Sequence, residues 1–364
     1  PRAERFLRSL PFALSESQEK VWGEIRADME SPKVMNRLVM GDVGSGKTVI
    51  ALLAMLEAVD SGYQAVFMVP TEILAEQHFA TMQRFFAPLG ISCAMLTGSL
   101  GAAEKRRVTE GLADGSVSCV VGTHALIQKH VKIQNPGIVI TDEQHRFGVR
   151  QRQALSAAGE NCDILVMTAT PIPRTLALIL YGDLDISTID RLPAGRLPIR
   201  TYAVDESYRE RVYTWARRLA EAGQQVYIVH PLIEENAESD LASAEENFRR
   251  ATARYFNGIS TALVHGKMRA AERDTVMRGF VNGEISVLFS TTVIEVGVDV
   301  PNATLMIIEN AERFGLAQLH QLRGRVGRGR LQSHCVLFAH GKGETVKERM
   351  NIMTASSDGF RIAE

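Results

Sequence analysis

Two stretches of this chain carry side chains suited to phosphate chemistry. In Gly137-Ile-Val-Ile-Thr-Asp142-Glu143-Gln144-His145 an apolar run ends in two adjacent carboxylates, followed by an amide and an imidazole. A carboxylate at a strand end can hold a divalent cation through water. Its neighbour can orient and deprotonate an attacking water, a contribution of about 10²–10⁴-fold in rate. Asp142 suits the first role and Glu143 the second. Taken alone, the same residues could be a strand end with surface acids. Upstream, Gly41-Asp-Val-Gly44-Ser45-Gly46-Lys47-Thr48 fits G-x-x-x-x-G-K-[ST] between a β-rich run and a helical one, the context that pattern requires. Its glycines let backbone N–H groups turn inward around phosphate oxygens, and the helix that follows adds the positive end of its dipole. Gly41, Gly44, Ser45 and Gly46 are the expected cradle. Lys47 is expected on the β- and γ-phosphates, and the Thr48 hydroxyl on Mg²⁺. The Rossmann glycine fingerprint is absent, which argues against a dinucleotide.

A third stretch is Gln318-Leu-His-Gln321-Leu-Arg323-Gly324-Arg325-Val-Gly327-Arg328-Gly-Arg330. Arginine clusters are usually solvated faces. Here glycines interrupt them just after a helical start at Gly315, a spacing that suits guanidinium groups aimed at a phosphate. Arginines used in that way are worth roughly 10³–10⁵ in rate. Plain binding to a nucleic-acid backbone is the competing reading.

Alternating short β-rich and helical runs position these residues. Strands are expected at Arg37–Met40, Gln64–Pro70, Ile91–Leu96, Val117–Gly122, Gly137–Thr141 and Asp163–Met167, with helices such as Thr48–Ser61 and Glu72–Phe86 between them. The alternation predicts an α/β fold with a mostly parallel sheet, and functional loops at the carboxyl ends of its strands. The apolar stripe in Ala51–Val59 has helical spacing and should face the sheet. The Pro- and Gly-rich stretch Arg191–Pro198 reads as a linker. Beyond it strands recur at Arg200–Val204, Gln225–Val229, Thr261–His265, Ser286–Ser290, Leu305–Glu309 and His334–Phe338, a second α/β domain without a phosphate loop. The expected division is 1–192, a linker at 193–198, 199–345, and a short segment at 346–364. The acidic stretch Glu234–Glu246 reads as a solvated loop. His230 and His320 read as packing or hydrogen-bonded residues, and Trp22 as core.

The chain has 364 residues, 45% of them hydrophobic and 23% charged, with a formal net charge of −1. That composition is globular, and it disfavours a protein that passively coats nucleic acid. The four cysteines, Cys93, Cys119, Cys162 and Cys335, form no Cys-x-x-Cys pair, so a reducing cytosol is expected and a metal cluster or disulfide framework is not. No apolar run reaches the roughly 18 residues of a membrane span. The abrupt start at Pro1 and the end at Glu364 suggest a fragment.

Together the three stretches, in this order over two α/β domains, resemble the superfamily 2 helicases, whose domains are tandem RecA-like P-loop folds with ATP and Mg²⁺ bound between them. The resemblance covers nearly the whole chain. Phe12 to Gln18 looks like the adenine-reading Q motif, which implies Gln18 at the nucleotide. Val69-Pro70-Thr71-Glu-Ile-Leu, Leu96-Thr97-Gly98-Ser and Val121-Gly-Thr123-His124 resemble the motifs that grip DNA, as does Val264-His265-Gly266-Lys-Met. Thr168-Ala-Thr170 resembles the motif that relays nucleotide state to the grip, a coupling task shared with Gln144 and His145. Ser290-Thr291-Thr292-Val-Ile-Glu-Val-Gly297-Val-Asp299 resembles motif V, which implies Thr291 and Thr292 at DNA and Gly297 and Asp299 at the nucleotide. In the arginine stretch, motif VI, Arg325 and Arg328 match the arginine fingers and Gln321 the γ-phosphate side.

Leu322 stands where RNA-dependent DEAD-box relatives carry Arg, and Asp-Glu-Gln-His replaces Asp-Glu-Ala-Asp. The stretches Asp142 to Arg152 and Thr168 to Thr175 are similar to the RecG family of branched-DNA translocases, whose Mfd and PriA relatives more typically place Glu at position 144. Ser357 to Glu364 resembles the start of a translocation motif shared by RecG and Mfd. The resemblance implies a cytoplasmic, monomeric motor that moves on duplex arms, forks and Holliday junctions and drives fork regression and branch migration in repair. A Mfd-like transcription-repair core and an RNA helicase are the alternatives.

Overall fold

The computed structural model describes residues 2–128, 130–142, 162–169, 184–190, 197–232, 237–291, 298–341 and 343–356. They fall into two compact units, Pro1–Ala194 and Gly195–Glu364. In the first unit the described helices are α1 (Arg2–Ser9), α2 (Glu16–Met29), α3 (Lys47–Asp60), α4 (Glu72–Phe86) and α5 (Ala102–Ala113). The strands are β1 (Asn36–Gly41), β2 (Gln64–Met68), β3 (Cys93–Leu96), β4 (Cys119–Gly122), β5 (Pro136–Asp142), β6 (Asp163–Thr168) and β7 (Asp185–Ile189). Their order is β3-β4-β2-β5-β6-β1-β7, with every recorded pair parallel.

Local sequence explains the elements. Both β2 and β4 are buried at every position, as strands covered on both faces must be, and apart from Gln64 they read as continuous apolar runs. Ser15 caps α2 in a capping box with Gln18, and Thr71 caps α4 through Leu74 N–H. Helix α3 is buried from Ile50 to Leu56 and packs on the sheet as its stripe predicts. Trp22 is half-buried instead of fully in the core.

The second unit contains β8 (Arg200–Val204), α6 (Arg209–Glu221), β9 (Gln225–His230), α7 (Ala237–Arg254), β10 (Thr261–Val264) and α8 (Ala270–Val281). It continues with β11 (Val287–Thr291), β12 (Ala303–Ile308), α9 (Leu316–Arg323), β13 (His334–Phe338) and α10 (Glu344–Ala355). The sheet is again parallel, in the order β10-β11-β9-β12-β13-β8. Its core joins Tyr213, Phe256, Phe289 and Phe338.

Both units are thus the α/β parallel-sheet folds expected, with strand ends shifted by a residue or two. Two features differ. Strand β7 was not anticipated, and most of the acidic stretch Glu234–Glu246 is helix. In α7, Ala244 and Ala251 are buried and Phe248 packs on the core, a spacing of i, i+4 and i+7 that holds an apolar stripe beneath the acids.

Candidate nucleotide and nucleic-acid site

Strand β1 feeds the glycine-rich loop, and α3 starts at Lys47. Gly44 and Gly46 adopt φ of 77° and 86°, the left-handed region that favours glycine, and a Cβ on Gly46 would collide with Gln18 Nε2. Gln18 Nε2 donates to Ser45 O at 2.7 Å, while its Oε1 accepts from Ser15 N–H at 2.9 Å. Lys47 Nζ donates to Gly41 O at 2.6 Å and Asp42 O at 2.9 Å, so the loop's own carbonyls hold the ammonium at its mouth. Ser45 is 1% exposed, and its Oγ has no hydrogen-bond partner among the described residues. A buried orphan hydroxyl, positive-φ glycines and an inward lysine fit a ligand rich in acceptor oxygens.

Strand order brings the remaining nucleotide candidates beside this loop. The sequence β5-β6-β1 aligns the carboxyl ends that carry Asp142, Thr168 and Gly41, with Asp142 opposite Met167 and Met40 opposite Thr168. The Asp142 side chain is 14% exposed, and His78 Nε2 lies 3.8 Å from its Oδ2. Thr168 is buried. Thr48 sits in the first turn of α3. Glu143, Gln144, His145 and Thr170 lie outside the described residues.

The other half of this sheet, β3-β4-β2, carries the grip candidates at the same edge. Pro70 and Thr71 follow β2, Thr97 and Gly98 follow β3, and Thr123 and His124 follow β4. Their loops are laced together: Val69 N–H donates to Gly122 O at 2.9 Å, Thr123 N–H to Leu96 O at 3.2 Å, and Ser99 N–H to Glu72 Oε1 at 2.9 Å. Thr97 and Thr123 are buried and His124 is exposed.

In the second unit His265 and Gly266 follow β10, and Thr291 ends β11. Gly266 is exposed and Thr291 is fully buried; Thr292 and Gly297 lie outside the described residues. Helix α9 stops at Arg323. Gly327 then takes φ of 76°, and a Cβ on Gly329 would collide with the carbonyl of Pro301, so backbone geometry demands both glycines. Gln321 is half-buried, and Arg325 is buried. Arg328 pairs with Asp299 at 3.4 Å. Burial pushes the Tyr227 hydroxyl of β9 up to about 12, while the charges of Arg325 and Arg328 pull it down.

Comparison with known proteins agrees with the geometry. Residues 15–179 match the DEAD/DEAH box helicase model, and residues 210–330 the helicase conserved C-terminal domain. The ATP-dependent DNA helicase RecG of Streptococcus pneumoniae is 54% identical over 98% of this chain and 53% of its own length. That of Thermotoga maritima is 49% identical over 100% of this chain and 46% of its own length. A solved structure of RecG bound to a three-way DNA junction superposes with a TM-score of 0.88 at 47% identity, covering 99% of this chain and 47% of that one. The chain belongs to the RecG helicase family. It spans about half the length of the curated relatives it matches.

Within this RecG-family chain, sequence reading named Gln18 for the nucleotide but not its grip on the loop, and it assigned no role to Arg323 or Glu309. Gln18 is engaged at both ends of its amide, holding the phosphate loop. Arg323 is 3% exposed and donates to Met353 O and Ser356 O, both at 2.8 Å, which fastens α9 to the end of α10. Glu309, 3% exposed, accepts from both terminal nitrogens of Arg209 and from the Tyr213 hydroxyl. Arg323 stands inside the arginine stretch that the sequence reading quoted, but nothing in the sequence marks Glu309.

Proposed function

We propose that the chain is the ATP-driven motor core of a RecG-type DNA translocase. The observation that carries it is the shared strand edge on which Lys47, Asp142 and Thr168 stand beside the loops bearing Thr71, Gly98 and His124. Gly41, Gly44, Ser45, Gly46 and Lys47 would take the phosphates of ATP, and Gln18 would steady that loop. Thr48 and Asp142 would hold Mg²⁺, which supplies charge neutralisation at the transferred phosphoryl group. Glu143 would orient and deprotonate the attacking water, while Gln321, Arg325 and Arg328 act on transition-state charge and Gly297 and Asp299 serve the nucleotide. Gln144, His145, Thr168 and Thr170 would relay nucleotide state to the DNA contacts.

Pro70, Thr71, Thr97, Gly98, Thr123 and His124 in the first unit, with His265, Gly266, Thr291 and Thr292 in the second, are the proposed contacts to the DNA backbone. Such contacts are sequence-independent, so affinity should fall steeply with salt. In this reading 1–192 and 199–345 are the two motor domains, joined at 193–198, and 346–364 begins the translocation motif. The likeness to a RecG solved on a three-way junction supports branched DNA as the substrate class; forks and Holliday junctions, and action as a cytoplasmic monomer, belong to the same proposal. No described helix is long and apolar enough to cross a membrane.

The test is the ATPase rate of the chain on forked DNA, linear duplex, single strands and RNA. Branched DNA should stimulate most, and Glu143→Gln should remove turnover while keeping ATP binding. Stimulation by RNA above branched DNA would overturn the assignment.

A further inference from the structure

Helix α4 joins the two halves of the candidate site. Its first residue, Glu72, accepts a hydrogen bond from Ser99 N–H and so fixes the loop after β3. Two turns later His78 lies with its ring against Phe67 of β2, centroids 4.7 Å apart. The His78 side chain is 11% exposed, and its Nε2 is buried with no hydrogen-bond partner among the described residues, 3.8 Å from Asp142 Oδ2. A buried imidazole nitrogen without a partner is costly, so its placement needs a reason. Asp142 is the only acidic group within ion-pair range of His78 among the described residues.

We propose that His78 is a positioning residue for the cation-holding carboxylate Asp142, and that through it α4 ties the nucleic-acid loops to the nucleotide site. The role rests on the motor reading above. A contraction of under about 1 Å turns the His78–Asp142 approach into a hydrogen bond of ordinary length. With Nε2–H donating to one carboxylate oxygen, the other is left to face the cation's water shell. Residues that orient a metal-holding carboxylate in this way typically contribute 10–100-fold to metal affinity or activity. Because α4 starts at the grip loops, a shift of those loops on DNA would move His78 and thereby re-aim Asp142.

The test compares wild type with His78→Phe, which keeps a ring against Phe67 but has no donor, and with His78→Gln, which restores an N–H. Mn²⁺ binding in the presence of adenylyl-imidodiphosphate is followed by electron paramagnetic resonance, with urea midpoints as a fold control. The expected result is Mn²⁺ affinity about 10-fold weaker in His78→Phe and largely recovered in His78→Gln, with similar midpoints. A steady-state series should show a higher Mg²⁺ requirement in His78→Phe and an unchanged KM for three-way junction DNA. Wild-type affinity in His78→Phe, or equal weakening in both variants, overturns the positioning role while leaving the motor intact. If the wild type itself binds no Mn²⁺ with the nucleotide, the motor reading falls as well.

Discussion

Acid should loosen the second unit through one buried ring. His230 ends β9, 6% exposed, with its Nε2 2.6 Å from Asn247 Nδ2 and its Nδ1 without a partner among the described residues. Asn247 Nδ2 can only donate, so Nε2 accepts and the ring is neutral. Burial pushes its pKa down from 6.5 to about 4; Glu309 opposes the shift and Arg209 adds to it. The folded value therefore lies below the unfolded one. Stability from this group is complete above pH 6.5 and falls as pH drops towards 4, because only the unfolded chain takes up the proton. At about 1.4 kcal/mol per unit, the loss is about 2 kcal/mol between pH 7 and 5 and about 3 kcal/mol over the whole window.

Urea unfolding at pH 7, 6 and 5 would measure this, with Trp215 fluorescence as the reporter in a Trp22→Phe background. Trp215 lies on α6 against the second unit's core. It also sits edge-on to His334, 4.8 Å away, whose pKa is lowered by burial and by Arg200. His334 thus pushes the pH dependence in the same direction, and the informative quantity is the difference between wild type and His230→Gln. Wild type should lose about 2 kcal/mol more than the variant between pH 7 and 5. Equal slopes would refute the assignment of a buried, neutral His230.

Two further perturbations probe the loops. Gly329→Ala drives a methyl into the Pro301 carbonyl, a clash with backbone that cannot rotate away, and should cost about 1–3 kcal/mol in the second unit. An unchanged urea midpoint for Trp215 would count against that close approach. Gln18→Ala leaves the Ser45 carbonyl without its donor inside a buried loop, a penalty of about 1–3 kcal/mol, so affinity for a fluorescent ATP analogue should drop roughly tenfold. Wild-type affinity would show that the bond does not hold the loop in its binding form.

Much of the architecture could be read in advance because the signals were local. Continuous apolar runs ending in Asp142 or Gly41, and the stripe in Ala51–Val59, depend on neighbours a few residues away, and the structure moved their ends little. The acidic stretch misled for the opposite reason. Its charge is conspicuous in sequence, whereas the stripe that decides its structure consists of Ala244, Phe248 and Ala251, two of them too small to register as a core face. The two cysteines Cys93 and Cys119 sit far apart in sequence yet are opposed on β3 and β4, a pairing that only the strand order reveals.

The residues that hold the site in place were harder to foresee than those proposed to do its chemistry. Phosphate chemistry confines Lys47, Thr48 and Asp142 to strand ends and one helix start, so their spacing is constrained and recognisable. Their supports face no such constraint. Gln18 lies 27 residues from the carbonyl it holds and Arg209 lies 100 from Glu309, and each could have come from any element packed nearby. In the arginine stretch the glycines looked like helix breakers, but breaking the helix explains only why α9 ends. The positive φ at Gly327 and the approach of Gly329 to Pro301 constrain the backbone on either side of Arg328, the residue that pairs with Asp299. A variant with both arginines kept and Gly329 replaced should therefore damage the site as an arginine substitution would.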